Sequence, residues 1–489
     1  MEQEVVGATP TSCTKKMNKK TSKPPVDLPG GFIDRKEKEL VIRDFLIKQI
    51  KEVMTKYGFE FLETPSFEYT ESLGKFLPDK DRPSEGVFSF EDGKKWLSLR
   101  YDLTAPLARF SAKNFDSLPR PFKRYQVGTV WRNEKPGPGR FREFLQFDAD
   151  YVGTNNLLAD SELCVLISEI LLKCGLTEKE FNIKISNRKL SKGLLEDLDI
   201  VDQDQQGISL RAIDKLDRVG LDGIKDLLGK GRKDKSGDFT DGANLEASKI
   251  EKIINFLNCK GIEDLKKISQ NKIYNEGITE LENICEYFKL FDFKSFKIDP
   301  TVVRGLEYYT GPIFEAELTF KVKNDKGLDI EFGSIGGGGR YDDLVKRFKN
   351  QDCPATGISI GLDRLLYALS QKDIFDFKQK SPVLICVLDE NYNDYYFKIL
   401  NLLRSNNINA EIYTGSSGFK AQLKYADKRN CKYAIICGED EVAKELVTLK
   451  NLEIGSKISE EIDSREDWTQ AKDAQKTFPL TSLIEEIKK

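Results

Sequence analysis

Arg304, Gly305, Tyr308, Tyr309 and Gly311 stand just ahead of the apolar run Pro312, Ile313 and Phe314. A guanidinium is a permanently charged fork of donors suited to a carboxylate or a phosphate, and glycines let a backbone turn or come close to a ligand. Packing at a buried strand start has no use for such an arginine, so the stretch reads as a pocket wall rather than as an aromatic strand with a surface ion pair. Asp102 and Thr104 follow a short strand pattern that begins at Trp96 and, two residues apart, are expected on one face. Arg132 and Glu134 end a strand pattern that begins at Phe122; a glycine-, proline- and base-rich loop over 135–142 leads into a second strand pattern over 144–152. This reads as an antiparallel hairpin, which buries both charges unless they meet a ligand or each other. Arg364 lies beside the stripe Leu362, Leu365, Leu366 and Leu369, at the start of a helix that follows a strand and Gly361. The chain contains no histidine, which excludes Ser-His-Asp triads, His-ligated zinc and imidazole bases. Chemistry must rest on arginine, lysine, carboxylates and bound ions.

The secondary structure that would hold these groups can be read in chain order. Residues 1–26 are rich in Lys, Thr, Ser and Pro, carry no Arg, and read as a solvated basic tail. They have neither the apolar core of a signal peptide nor the acid-poor character of a transit peptide, given Glu2 and Glu4. Ile42, Leu46, Ile50, Val53 and Tyr57 recur at helical spacing up to Gly58, and a strand then runs to Pro65. A helix is expected over 161–173 and a strand over 182–186. Residues 188–290 change character: Asp, Lys and Gly dominate 214–243, then Ile250, Ile253, Ile254 and Leu257 form one stripe and Ile278, Leu281, Ile284 and Phe288 another. This reads as a helical insertion. The glycine-dense stretch from Phe332 to Asp342 carries an entropic cost that either a tight turn or close approach to a ligand would explain. From Pro382, strands over 383–387, 410–413, 433–437 and 446–449 alternate with helices over 392–403 and 418–428, an α/β layer pattern. Gly438 to Glu441 reads as an acidic turn rather than a divalent-cation site.

Composition frames the rest. With 489 residues, 39% of them hydrophobic, the chain can build two or three domains with cores, and no apolar run is long enough to span a membrane, so a soluble protein is expected. A net charge of -3 excludes a generally basic nucleic-acid coat and leaves room for a local basic face. Nine cysteines without a C-x-x-C pair read as reduced thiols, with no structural metal.

The string Arg304 to Glu315 closely resembles the histidine-specific signature of the histidyl-tRNA synthetases, departing at Glu307, where the family commonly has Asp. The helix and strand up to Pro65, the hairpin around Arg132, and the unit ending in Arg364 resemble the three class II motifs in the family's spacing, and residues 382–489 resemble the class IIa anticodon-binding domain. The resemblance covers about residues 27–489. It implies an α+β fold: an antiparallel-sheet catalytic domain over 27–187 and 291–372, the insertion 188–290 that contacts tRNA in the family, and a C-terminal α/β anticodon-binding domain over 382–489. It implies a cytoplasmic homodimer joined through the first motif, with no membrane association. Its substrates would be L-histidine, ATP with Mg²⁺, and tRNA(His), the histidyl group passing through an adenylate to the tRNA 3′ end.

The same resemblance assigns residues. Arg132 grips the amino-acid carboxylate and the α-phosphate, Arg304 flanks that phosphate from the other side, and the two are the catalytic pair. Glu134 orients the adenine, Phe144 stacks on it, Arg140 adds a phosphate contact and Arg364 takes the γ-phosphate. Asp102 takes the α-amino group with Gln146 close by, Thr104 lines the edge, and Asp150 with Tyr308 and Tyr309 reads the imidazole. No protein-ligated metal is implied. The family often has Glu where this chain has Asp102 or Asp150. A non-catalytic paralogue that regulates histidine biosynthesis usually lacks the C-terminal domain and the motif arginines, both of which this chain keeps. Related synthetases for Gly, Thr or Pro do not carry the Arg304 to Glu315 string.

Overall fold

The computed structural model describes residues 24–73, 86–233, 237–303, 309–324, 326–372, 381–452 and 474–488. The chain divides into two compact units, Met1–Gln371 and Lys372–Lys489.

The first unit is organised by an eight-stranded sheet whose strands, in chain order, are β1 (Glu60–Phe61), β2 (Phe122–Trp131), β3 (Glu143–Val152), β4 (Phe181–Asn187), β5 (Phe296–Ile298), β6 (Pro312–Leu318), β7 (Ser334–Arg340) and β8 (Ala355–Gly361). In space they run β1, β2, β3, β8, β7, β6, β4, β5. The six inner strands are antiparallel to one another, and the short edge strands β1 and β5 pair in parallel with β2 and β4. Alternation along β3 sends Phe147, Ala149 and Tyr151 to one face, all of them buried. Helices Glu37–Lys56, Leu157–Lys173 and Leu362–Leu369 pack on one another, on β3 and on β8. The expected stripe Ile42, Leu46, Ile50 and Val53 is buried. The opposite face of the sheet carries the polar residues described below.

Three expectations change in detail. The strand over 58–65 shrinks to β1, because only Glu60 and Phe61 find partners, Arg124 and Tyr125. The helix expected from 161 begins at Leu157, where the Asn156 side chain accepts the Leu158 N–H and satisfies an amide that has no partner within the helix. The stretch 188–290 contains helices Arg188–Asp197, Gln203–Ile213, Leu216–Leu228, Ala247–Leu257 and Lys272–Leu290, and also a small hairpin, Gly231–Lys233 with Phe239–Asp241. Ile253, Ile254 and Leu257 of one stripe, and all four residues of the other, are buried.

The second unit is an α/β layer with a five-stranded sheet in the order Ala410–Ile412, Val383–Ile385, Tyr433–Ile436, Leu446–Asn451 and Gln475–Pro479. The last strand escapes the sequence pattern because it is an edge strand with mostly exposed residues. Gly438 precedes a short helix, Glu439–Ala443, and the Glu441 carboxylate is used locally by the Gly438 N–H and the Thr448 hydroxyl.

Candidate active site

Register builds the site. Gln146, Asp148 and Asp150 of β3 lie opposite Gly128, Gln126 and Arg124 of β2, and opposite Gly361, Ser359 and Gly357 of β8. All nine therefore share the face away from the helices. The glycines are there for backbone proximity within a strand, and no tight turn is involved. A Cβ at Gly357 would overlap Asp150 Oδ1 and stand 2.7 Å from its Cγ, and one at Gly336 would stand 2.6 Å from the Ser359 carbonyl oxygen.

The three β3 side chains form a graded set. Asp150 pairs with Arg124 at 2.9 Å, both fully buried, and its other oxygen accepts the Tyr341 hydroxyl. Asp148 meets neutral donors: the Gln146 amide at 2.8 Å, the Thr104 hydroxyl at 3.3 Å and the Ser359 side chain. Burial raises both carboxyls. With the guanidinium on Asp150, Asp148 is the weaker acid, pushed up to about 7 by burial and by the charge of Asp150. Gln146 is oriented by its two neighbours, giving its N–H to Asp148 and accepting from Arg132 Nη2 at 3.3 Å.

Asp102 does not lie on a strand face. The strand ends at Leu99, a helix begins at Thr104, and Asp102 Oδ1 accepts the backbone N–H groups of Thr104 at 3.1 Å and Ala105 at 2.9 Å. The shared-face argument fails because the chain turns between the two residues. Burial holds the Asp102 carboxyl above its ordinary range.

A cavity of about 240 Å³ adjoins this set and is lined by Arg132, Glu134, Arg140, Phe144, Gln146 and Arg364, with Gly336, Gly337 and Ser359 on its floor. Arg132 lies between two rings, 4.5 Å from the centroid of Tyr101 and 5.1 Å from that of Phe144, a geometry in which ring faces favour a cation. The expectation that the hairpin buries Glu134 is not met: Glu134 is exposed, and its carboxylate accepts the Tyr101 hydroxyl at 2.5 Å. Arg140 closes the hairpin loop by reciprocal backbone bonds with Gly137. Arg364 donates to the carbonyls of Ser334 at 3.0 Å and Phe332 at 2.6 Å and lies 4.3 Å from the centre of the Phe332 ring. Tyr309 packs over Gly339 and against the cluster that contains Tyr341. Arg304 and Tyr308 lie outside the described residues. Among the described residues no group of three or more His, Cys, Asp or Glu stands together to hold a metal ion.

Sequence reasoning missed Arg124, Asp148 and Tyr341. Arg124 left a signal, since it occupies an alternating position in a strand whose other residues have core or pocket roles. Asp148 also left a signal, since alternation puts it between Gln146 and Asp150 on one strand face, whereas Tyr341 becomes visible only through its contact with Asp150.

An antiparallel sheet with helices on one face and arginines, carboxylates and aromatic rings on the other, joined in this motif order, is the catalytic fold of a class II aminoacyl-tRNA synthetase. The family model for histidyl-tRNA synthetase matches residues 31–365, and that for the anticodon binding domain matches 382–489. The histidine–tRNA ligase of Bartonella henselae is 46% identical over 96% of this chain and 98% of its own length, and that of Jannaschia sp. is 45% identical with the same coverage. The crystal structure of histidyl-tRNA synthetase from Nostoc sp. superposes with a TM-score of 0.68 at 27% identity, covering 95% of this chain and 99% of that one. The chain belongs to the histidyl-tRNA synthetase family, and its activity is that of a histidine–tRNA ligase.

Proposed function

We propose that ATP occupies the cavity between Phe144 and Arg364 and that L-histidine lies beside it over β3. The observation that carries this reading is the convergence of three guanidiniums, Arg132, Arg140 and Arg364, on one cavity that also offers Phe144 and Glu134. A histidine carboxylate oxygen attacks the α-phosphorus, the bond to the bridging oxygen breaks, and histidyl-adenylate and pyrophosphate result. A carboxylate is already ionised, so this step needs no base. Arg132 and Arg304 flank the α-phosphate and stabilise the charge that builds on it, while Arg140 and Arg364 hold the departing pyrophosphate. Phe144 stacks on the adenine and Glu134 accepts from its amino group. Mg²⁺ would be held by the phosphates, since no group of three or more acidic or thiol side chains stands together among the described residues to ligate it; when bound it would neutralise phosphate charge.

The histidine side is read by carboxylates. Asp102 takes the α-ammonium with Gln146 near it, Thr104 closes the edge, and Asp150, helped by the hydroxyls of Tyr308 and Tyr309, accepts from the ring nitrogens. A site built to hydrogen-bond a ring leaves its own groups unpaired when an apolar analogue enters, which supports discrimination of about 10⁴–10⁵. In the second step the 3′-terminal ribose hydroxyl of tRNA(His) attacks the adenylate carbonyl and AMP leaves.

The division of labour follows the sequence boundaries: a tail over 1–26, catalysis over 27–187 and 291–372, an insertion over 188–290, and anticodon binding over 382–489. The protein works as a cytoplasmic homodimer. Support for a second copy comes from the small sheet Phe67–Tyr69, Lys95–Leu99 and Ser89–Asp92, which leaves Phe67, Tyr69 and Phe90 exposed at 50%, 47% and 44%, an aromatic grouping suited to an interface. No helix among the described residues is long and apolar enough to cross a membrane. The test of the catalytic reading is Arg304→Ala in histidine-dependent pyrophosphate exchange. A fall of about 10²–10³ in rate is expected for loss of one preorganised donor; near-normal exchange by the folded variant would remove Arg304 from the mechanism.

A further inference from the structure

We propose that Arg35 is a positioning residue that sets the two walls of the ATP cavity, an inference that rests on the reading of that cavity given above. Arg35 forks onto Asp363, Nε to Oδ1 at 3.1 Å and Nη2 to Oδ2 at 2.8 Å, with side chains 15% and 4% exposed. Such bidentate pairs fix geometry as well as charge. Asp363 Oδ2 also accepts the Leu145 N–H at 2.7 Å. That amide lies past the end of β8, whose last residue, Gly361, faces Gln146, so Asp363 takes the place of a missing strand partner. Arg35 adds a donation to the Glu143 carbonyl at 3.4 Å. The residues on either side of Phe144 are thereby tied to the residue before Arg364.

The same short segment holds the opposite wall. The Gly31 carbonyl accepts the Arg142 N–H at 2.8 Å, and the Arg142 carbonyl accepts the Arg132 N–H at 2.8 Å. The Arg142 guanidinium reaches the Glu134 carbonyl at 3.3 Å and the Asn133 side chain at 2.5 Å. Residues 30–35 thus cross from the loop that presents Glu134 and Arg140 to the helix that presents Arg364. Arg35 touches no substrate in this account. It acts through Asp363, which keeps Phe144 and Arg364 at the separation that a nucleotide fills.

The experiment is pyrophosphate exchange by the full chain carrying Arg35→Ala, Arg35→Lys, Asp363→Asn, the double variant Arg35→Ala with Asp363→Asn, and Arg364→Ala, with ATP and histidine varied separately. Displacement of positioned groups predicts a loss of about tenfold to 10²-fold in kcat/KM for ATP in Arg35→Ala, with the KM for histidine unchanged. Lysine restores part of it, since one ammonium replaces a fork, and the double variant is no worse than Asp363→Asn. Should Arg35→Ala fail to fold, an ATP-selective loss in Arg35→Lys carries the same test. The proposal is overturned if ATP and histidine parameters fall together, or if Arg364→Ala impairs ATP use while both Arg35 variants behave as the unaltered chain. If Arg364→Ala itself leaves ATP use intact, the cavity is not the ATP site, and the reading beneath the proposal fails first.

Discussion

Gly357→Ala adds one methyl group, and the structure gives that methyl nowhere to go. Its position overlaps Asp150 Oδ1, lies 2.7 Å from Asp150 Cγ and 3.2 Å from the Ala149 carbonyl oxygen. The carbonyl belongs to the strand ladder, so Asp150 must give way. Its carboxylate is held by Arg124 at 2.9 Å and by the Tyr341 hydroxyl, and moving it leaves a fully buried guanidinium short of its counter-charge. Breaking a buried pair costs about 3–5 kcal/mol, whereas replacing glycine by alanine within a strand returns only about 0.5–1 kcal/mol. A net destabilisation of about 2–4.5 kcal/mol follows from those two figures. In function, losing a hydrogen bond to a charged group is worth about 1.5–3 kcal/mol, which predicts a fall of roughly tenfold to 10²-fold in kcat/KM for histidine with ATP binding spared. Urea denaturation and pyrophosphate exchange measure the two effects. Gly261→Ala is the control, since Gly261 has extended backbone and nothing within 4 Å of its added Cβ. If Gly357→Ala matched that control in both assays, the argument that Asp150 is pinned between Arg124, Tyr341 and Gly357 would be wrong.

Other outcomes follow from the same geometry. The folded chain keeps a proton on Asp148 up to about pH 7, well above the ordinary carboxylate value, so it binds more protons than the unfolded chain in that window; stability falls as pH rises through it and levels off above. Asp148→Asn reduces that slope in denaturation measured across the window, leaving the contributions of the other carboxyls that burial raises, Asp102, Asp150 and Asp160, the last pushed up to about 6; an unchanged slope would show that Asp148 does not hold the proton. For the homodimer proposed above, Phe67→Glu with Phe90→Glu is expected to sediment as a folded monomer beside a dimeric unaltered chain, and equal sedimentation of the two would contradict an interface at these rings. Ending the chain at residue 381 spares exchange and abolishes efficient charging of tRNA(His), whereas full charging by the truncated protein would contradict an anticodon role for the second unit.

Periodicity carried most of the fold into view. The stripe from Ile42 to Val53 and the stripe from Ile278 to Phe288 became buried helix faces, and the alternating runs around Arg132 became β2 and β3. What stayed hidden depended on contacts between distant positions. Arg124 meets Asp150 only because two long strands pair in one register, and a shift of one residue would send the arginine to the opposite face. Arg35 and Asp363 are separated by 328 positions, and no local pattern links them. Asp102 was legible as a functional type, but its place was not, because the turn after Leu99 converts a presumed strand face into the entry of a helix. The glycines from 336 to 339 offered two explanations in sequence, a turn or a ligand; strand packing against neighbouring backbone is a third that needs coordinates.

A chain without a single histidine of its own selects histidine and activates it with ATP. ATP–pyrophosphate exchange by the 489-residue chain, with each amino acid supplied alone, tests this. Exchange with L-histidine is expected, and none with glycine, threonine or proline. Exchange driven by one of those three, or no exchange with histidine from a folded protein, would contradict it.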